Sequence, residues 1–479
     1  MWQQEDAGWR WASMQAALRG KDFDEVLRRV AERVPNAGDT RLLQAARAGD
    51  MAALTAAAAA VADLNADRDV DDMTAMHWAA LCGRTEALQW LAAHGASMEV
   101  RDAAQRTPLL WAAYSGHLAT VQWMVAEAGV ELGSRNEDGS TAFMLAAHEG
   151  QMDVARWLLA AGSDPLERDN DGETALLLAS RRGHADMVAW LVSPEVGAQV
   201  AERDNDGRTA LMGAAYAGHM DVLHRLLAAN SAADVLDAQP SDGNTALMRA
   251  SYMGHPAAVQ CLLDAGANPH LQNRLGATAL KMAIYTGQTP VCQLLCDTEA
   301  GRQELLMSAG TYLSWAVIKS PVSTVQLLVL HLADHPDREQ ITSAAFVKAA
   351  EHGNTSVVEH LLAHGAQLEY RDKNGRTALF AAAQLGHEET VYHLLVAGAD
   401  PQIKDIHDTP AVAAAILKYP NVARLLRLYP MRQSTLVLAM LGRRFRRLRL
   451  PIELLRMVHD EYLPNTALPF SFDRLANRS

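Results

Sequence analysis

A threonine returns along this chain about every 33 residues, and that period limits the fold more than any other feature of the sequence. It stands at Thr40, Thr74, Thr107, Thr141, Thr174, Thr209, Thr245, Thr278, Thr311, Thr377 and Thr409, with Ala344 filling the one missing step; the intervals run from 32 to 36 residues. Other positions keep step with it. Five residues after each anchor comes alanine in all twelve units, from Ala45 to Ala414; nine after it comes glycine, except at Ser320 and Lys418. Seventeen after it comes Leu or Met in every unit but the first.

One copy, Arg168 to Val192, shows what the period encodes. Asp-Asn-Asp-Gly is a turn sequence, because Asn and Asp bond their own backbone and Gly accepts positive φ. Thr174 opens a short apolar helix and Gly183 closes it with a left-handed cap. Met187, Val188, Trp190 and Leu191 then recur at helical spacing on a second helix. A helix pair this short cannot bury its apolar side alone, so each copy must stack on the next. The invariant alanine lets neighbouring first helices approach closely.

Thr107-Pro108-Leu109 through Ala112 has the T-P-L-x-x-A form, and with twelve units in phase the chain resembles an ankyrin-repeat protein from roughly Asn36 to Leu428. The resemblance implies an all-α fold: an ankyrin-repeat solenoid of about twelve helix-turn-helix units with short β-turn fingers. It divides the chain into 1–35, an N-terminal helical cap; 36–428, the array; and 429–479, a helical tail. The Gly-His pairs at His117, His184, His219, His255 and His387 resemble the family's structural histidine, which ties neighbouring turns together. The longer connections after Val192 and Asn230 are expected to project from an edge. Between Cys296 and Thr311 the usual turn is lost, and Ser320-Pro321 stands where Gly-His belongs; a hinge, a packing irregularity and a drifted repeat are the readings of this most eroded unit.

Composition narrows the function. With 43 Lys and Arg against 56 Asp and Glu, the net charge of −13 argues against general nucleic-acid binding, which needs a basic footprint. Four cysteines at irregular spacing form no disulfide framework and point to a reducing compartment, the cytoplasm or the nucleus. The opening MWQQEDAGWRW has no apolar core of a secretory signal, and no tract is long and apolar enough to span a bilayer. There is no phosphate-binding loop, G-x-S-x-G, kinase signature or C-x-x-C pair, so no catalytic residue, cofactor or metal site is expected. His360 and His364 share a helix face at a spacing a metal would accept, without further ligands beside them.

What varies between units is therefore the candidate for binding. Trp90, Trp123, Trp157 and Trp190, each sixteen after its anchor, read as a packing seam. In the ankyrin family, contacts come mainly from turn tips and the exposed face of the first helix. By that resemblance Trp78, Trp111, Tyr114, Arg181, Arg182, Tyr216, Arg249, Tyr252 and Tyr285 are the expected concave-face contacts with one or more protein partners, a composition found at binding hot spots. Arg recurs six before the anchor, at Arg101, Arg135, Arg168, Arg203 and Arg371; partner binding and turn stabilisation by pairing with the neighbouring Asp are both open for these. In the tail, a helix, an arginine run from Arg443 to Arg449 and Leu450-Pro451 before a second helix resemble a SOCS box, and LPIELL resembles the opening of an F-box. Leu450, Pro451, Leu454 and Leu455 are then either a terminal cap or an adaptor recruiting ubiquitin-ligase components. The expectation is a monomeric, non-enzymatic interaction scaffold, with a ligase substrate receptor as the alternative.

Overall fold

The computed structural model describes residues 40–229, 233–405 and 419–428. Contacts group the chain into two compact units: the first is Met1–Ala250 with Ala257–Asn268, the second Ser251–Pro256 with Pro269–Ser479. The calls on the N-terminal cap and on the tail fall outside the described residues.

Within each unit the architecture is one motif repeated: a turn, a short first helix, a reversal, a second helix. In the first unit, the helices Ala75–Leu81, Pro108–Tyr114, Ala142–His148, Ala175–Arg182 and Ala210–Ala217 pack each on the next. In the second, Ala279–Thr286, Glu299–Lys319, Arg338–Glu351 and Ala378–Leu385 do the same. The anchor threonine caps the first helix: Thr141 Oγ1 accepts from the Met144 amide, Thr377 Oγ1 from the Phe380 amide. Ala112, Ala146, Ala179, Ala214, Ala283, Ala316, Ala349 and Ala382 are all fully buried, and so are Leu158, Leu191, Leu226, Leu328 and Leu361 on the second helices. The core is therefore a line of nearest-neighbour contacts, as a solenoid requires.

Gly183 takes φ 87°, and a Cβ there would lie 2.7 Å from the His219 ring of the following copy. The close approach places His219 Nε2 3.1 Å from the Arg181 carbonyl; His117 and His387 reach the Leu81 and Glu351 carbonyls in the same way. The histidines do join adjacent reversals.

The Thr107 copy carries one extra residue. Gly129 lies 22 residues after its anchor, where Gly95 and Gly162 lie 21 after theirs. The surplus is absorbed in the second helix as a π-turn, Trp123–Glu127, with the Ala128 amide bonded to the Trp123 carbonyl at 3.0 Å. The longer connection after Val192 is only partly an edge loop: Pro194 and Glu195 are exposed, but Ala198 and Val200 are buried beneath it.

The eroded copy keeps its register and loses its finger. Glu299–Lys319 is a 21-residue helical stretch broken at Ser308, capped by Thr298 rather than by Thr311, which lies inside it. Glu304 accepts from Tyr312 and from Thr278 of the preceding copy. The same acid position, seven before the anchor, receives Thr40 at Asp67 and Thr174 at Glu202. Ser320 donates to the Ile284 carbonyl, and Pro321 fills the space against Gly287 that histidine fills elsewhere. It is a drifted repeat whose turn has been replaced by helix.

Candidate binding surface on the first helices

The fingers come first, because they decide which neighbouring side chains stay accessible. In most copies Asp or Asn stands five residues before the anchor, and its Oδ1 accepts from backbone amides further along the turn: Asp102 from Ala104 and Arg106, Asp372 from Asn374 and Arg376. The arginine beside it does not pair with that carboxylate. Arg101 Nη1 donates to the Gln105 carbonyl of its own turn and to the Arg135 carbonyl of the next copy, both at 2.8 Å. Arg135 bonds Gly139 and Arg168 likewise, and Arg168 bonds Gly172 and Arg203. Arg203 reaches Gly207 and Arg371 reaches Lys404. This ladder of arginine-to-carbonyl bonds staples successive fingers; of the two readings left open by sequence, the structure shows turn stabilisation, with backbone carbonyls rather than the neighbouring Asp as the partners.

The second oxygen of the finger carboxylate removes two expected contacts from the surface. Trp78 Nε1 donates to Asp69 Oδ2 and Trp111 Nε1 to Asp102 Oδ2, each at 3.0 Å. Trp78, Trp111 and Tyr114 are at most 1% exposed, so they are core residues and offer a partner no surface. Arg249 is 8% exposed and bound to Asp242 at 2.9 Å. Of the aromatic seam on the second helices, Trp190 is buried and Trp90, Trp123 and Trp157 are half-buried.

What stays accessible differs between the two units. In the first, half-buried Arg181, Arg182 and Tyr216 share the first-helix face with His148 and Glu149. Arg182 Nη2 lies 2.9 Å and His148 Nδ1 2.8 Å from Glu149 Oε1, and Arg181 pairs with Glu173. Burial works against a charged Glu149, but His148 and Arg182 outweigh it and hold the carboxyl below its usual range.

In the second unit the face carries Tyr252, Tyr285 and, from the eroded copy, Trp315, all half-buried. Lys281 Nζ stands 4.9 Å from the Trp315 ring centroid and Lys319 Nζ 6.0 Å from that of Tyr285. Lys348 pairs with Glu351 at 2.8 Å. Sequence reasoning missed Trp315, Lys281, Lys319 and Lys348, because it followed regular copies and Trp315 lies in the least regular one. The signal was present: Trp78 and Trp111 have Asp nine residues earlier, whereas Trp315 has Leu306 there.

A family model for ankyrin repeats, three copies at a time, matches residues 13–102, 42–136, 109–204, 194–273, 254–340, 313–405 and 346–432. The chain belongs to the ankyrin-repeat family. Ankyrin repeats indicate a protein–protein interaction scaffold, and the matches run through the eroded copy without a break. No curated protein matches the chain. Among the described residues no helix is long and apolar enough to cross a membrane. The candidate adaptor residues Leu450, Pro451, Leu454 and Leu455 lie beyond the last matched residue, 432, and outside the described residues.

Proposed function

We propose that this ankyrin array is a non-enzymatic, monomeric scaffold of the cytoplasm that holds a protein partner against the exposed faces of its first helices. The observation that carries the reading is the contrast between frame and face. Anchor threonines, core alanines and second-helix leucines repeat with little change, while the positions seven and eight residues after the anchor hold half-buried Arg181, Arg182, Tyr216, Tyr252 and Tyr285 and exposed Lys319. Arginine and tyrosine there present rigid contact area and bidentate donors, the chemistry of interface hot spots. The reading as a ligase receptor rests on the tail alone.

The test is affinity capture from cell extract by the full chain and by a variant with Arg182→Ala, Tyr216→Ala and Tyr285→Ala together. Loss of specific partners with an unchanged circular dichroism spectrum supports the first-helix face. Equal capture by the variant moves the site to the fingers or the termini.

A further inference from the structure

The helices of the second unit carry a surface unlike that of the first, and its chemistry names the kind of partner. Over the copies anchored at Thr141, Thr174, Thr209 and Thr245, the finger tip three residues before the anchor is acidic: Asp138, Asp171, Asp206 and Asp242. At the same place in the next copy stands Leu275, 38% exposed; where helix then replaces the finger, Leu306 and Met307 are 39% and 88% exposed. Thr278 of the Leu275 copy bonds Glu304 of the eroded copy. The first helices of these copies, Ala279–Thr286, Glu299–Lys319 and Arg338–Glu351, pack in that order. On the first-helix face and the copy after it, the positions one before and three, four, seven and eight after the anchor hold Lys281, Lys319, Lys348 and Arg376; Lys281 donates to the Gly276 carbonyl, Lys348 pairs with Glu351, and Arg376 pairs with Asp372 and Glu351. A chain of net charge −13 thus turns a basic, aromatic surface outward here.

We propose that this face binds an acidic peptide segment of another protein that also carries large apolar side chains. Its carboxylates meet Lys281, Lys319 and Lys348, and its apolar side chains meet Trp315, Leu306 and Met307. The proposal rests on the scaffold reading and adds the place and the chemistry. Lys281 lies over Trp315, so cation and ring form one surface and a bound carboxylate finds its counter-charge beside an apolar anchor. Complementary charge steers such a segment to the face and rejects basic ones. Leu306 stands nine residues before Trp315, at the place where Trp111 has Asp102.

The test is a displayed library of random peptides panned against the full chain, and against Lys281→Gln/Lys319→Gln and Trp315→Ala variants whose melting temperatures match the parent. The enriched peptides are expected to be net acidic with Leu, Phe or Trp. They should bind each variant about tenfold or more weakly, roughly 1.4 kcal/mol, and lose affinity as salt rises. Should a variant not fold, the salt dependence and the sequence bias on the parent chain still decide. A pool without acidic bias, no enriched pool, or preferential displacement by a single-stranded oligonucleotide overturns the proposal. If binding survives these variants but is lost with Arg182→Ala/Tyr216→Ala, the scaffold reading stands and this one falls. If no face variant affects binding, both fall.

Discussion

The indole of Trp111 donates to Asp102 Oδ2 at 3.0 Å, and the same carboxylate accepts from Arg106 Nε at 2.7 Å and from the amides of Ala104 and Arg106. One side chain thereby closes a finger, pairs a buried guanidinium and fixes an aromatic nine residues away. Asp102 and Arg106 are 0% and 4% exposed in their side chains. Removing one partner of such a pair strands the other, so Asp102→Ala should cost about 3–5 kcal/mol in urea unfolding. Arg302, on a helix and with its side chain 54% exposed in its pair with Glu299, should tolerate alanine within about 0.5 kcal/mol. Equal losses at both positions would mean that the buried network is not what holds the finger.

The line of small residues between first helices gives a second expectation. Ala179 is 0% exposed between the copies on either side, and Ala179→Leu should overpack them at a cost of about 1–3 kcal/mol. Leu191→Ala should cost about 2–5 kcal/mol through the cavity it leaves. Unchanged thermal unfolding of Ala179→Leu would remove that position from the core.

His77 makes stability depend on acid. Its Nδ1 accepts from the Thr74 amide and its Nε2–H donates to the Arg106 carbonyl, both at 3.0 Å, roles only a neutral ring can fill together. Burial pushes its pKa from 6.5 down to about 4. The unfolded chain therefore binds the extra proton between those values. The stabilisation is complete above pH 6.5 and is lost as pH falls toward 4, by about 3 kcal/mol. Unfolding of the parent and of His77→Leu at pH 7 and pH 4 checks the sign: the stability gap between them should narrow in acid.

The π-turn at Trp123–Glu127 predicts an asymmetric response to deletion. Removing exposed Glu127 returns the copy to the common spacing, and the array should fold with its melting temperature nearly unchanged. Removing one residue from the regular helix Met152–Ala160 should instead rotate Leu158 out of the core and lower the melting temperature sharply.

The ladder arginines are staples on the surface. Arg168 is exposed and bonds two carbonyls through one nitrogen, so Arg168→Ala should cost about 1 kcal/mol and Arg168→Lys should not restore it. Faster amide hydrogen exchange confined to the Arg168 and Arg203 fingers is the expected readout; uniform acceleration would make the arginine part of the global core instead.

The sequence by itself determined the period, the caps at Thr141 and Thr377 and the burial of Ala179 and Leu191; its resemblance to the ankyrin family implied the all-α class and the joining role of His219. These follow because each copy meets only its neighbours, so a position that must be small, apolar or left-handed in one copy is so in nearly all. Tertiary structure decided how far each variable side chain is exposed. Trp111 and Trp315 hold the same place after their anchors, yet one is fully buried and the other half-buried. One copy supplies a finger carboxylate, Asp102, that bonds its indole; in the other copy Leu306 stands on a helix at that place. The arginine ladder was hidden for a related reason: its acceptors are carbonyls, which every residue carries, and only the folded backbone brings Arg168 within reach of both Gly172 and Arg203.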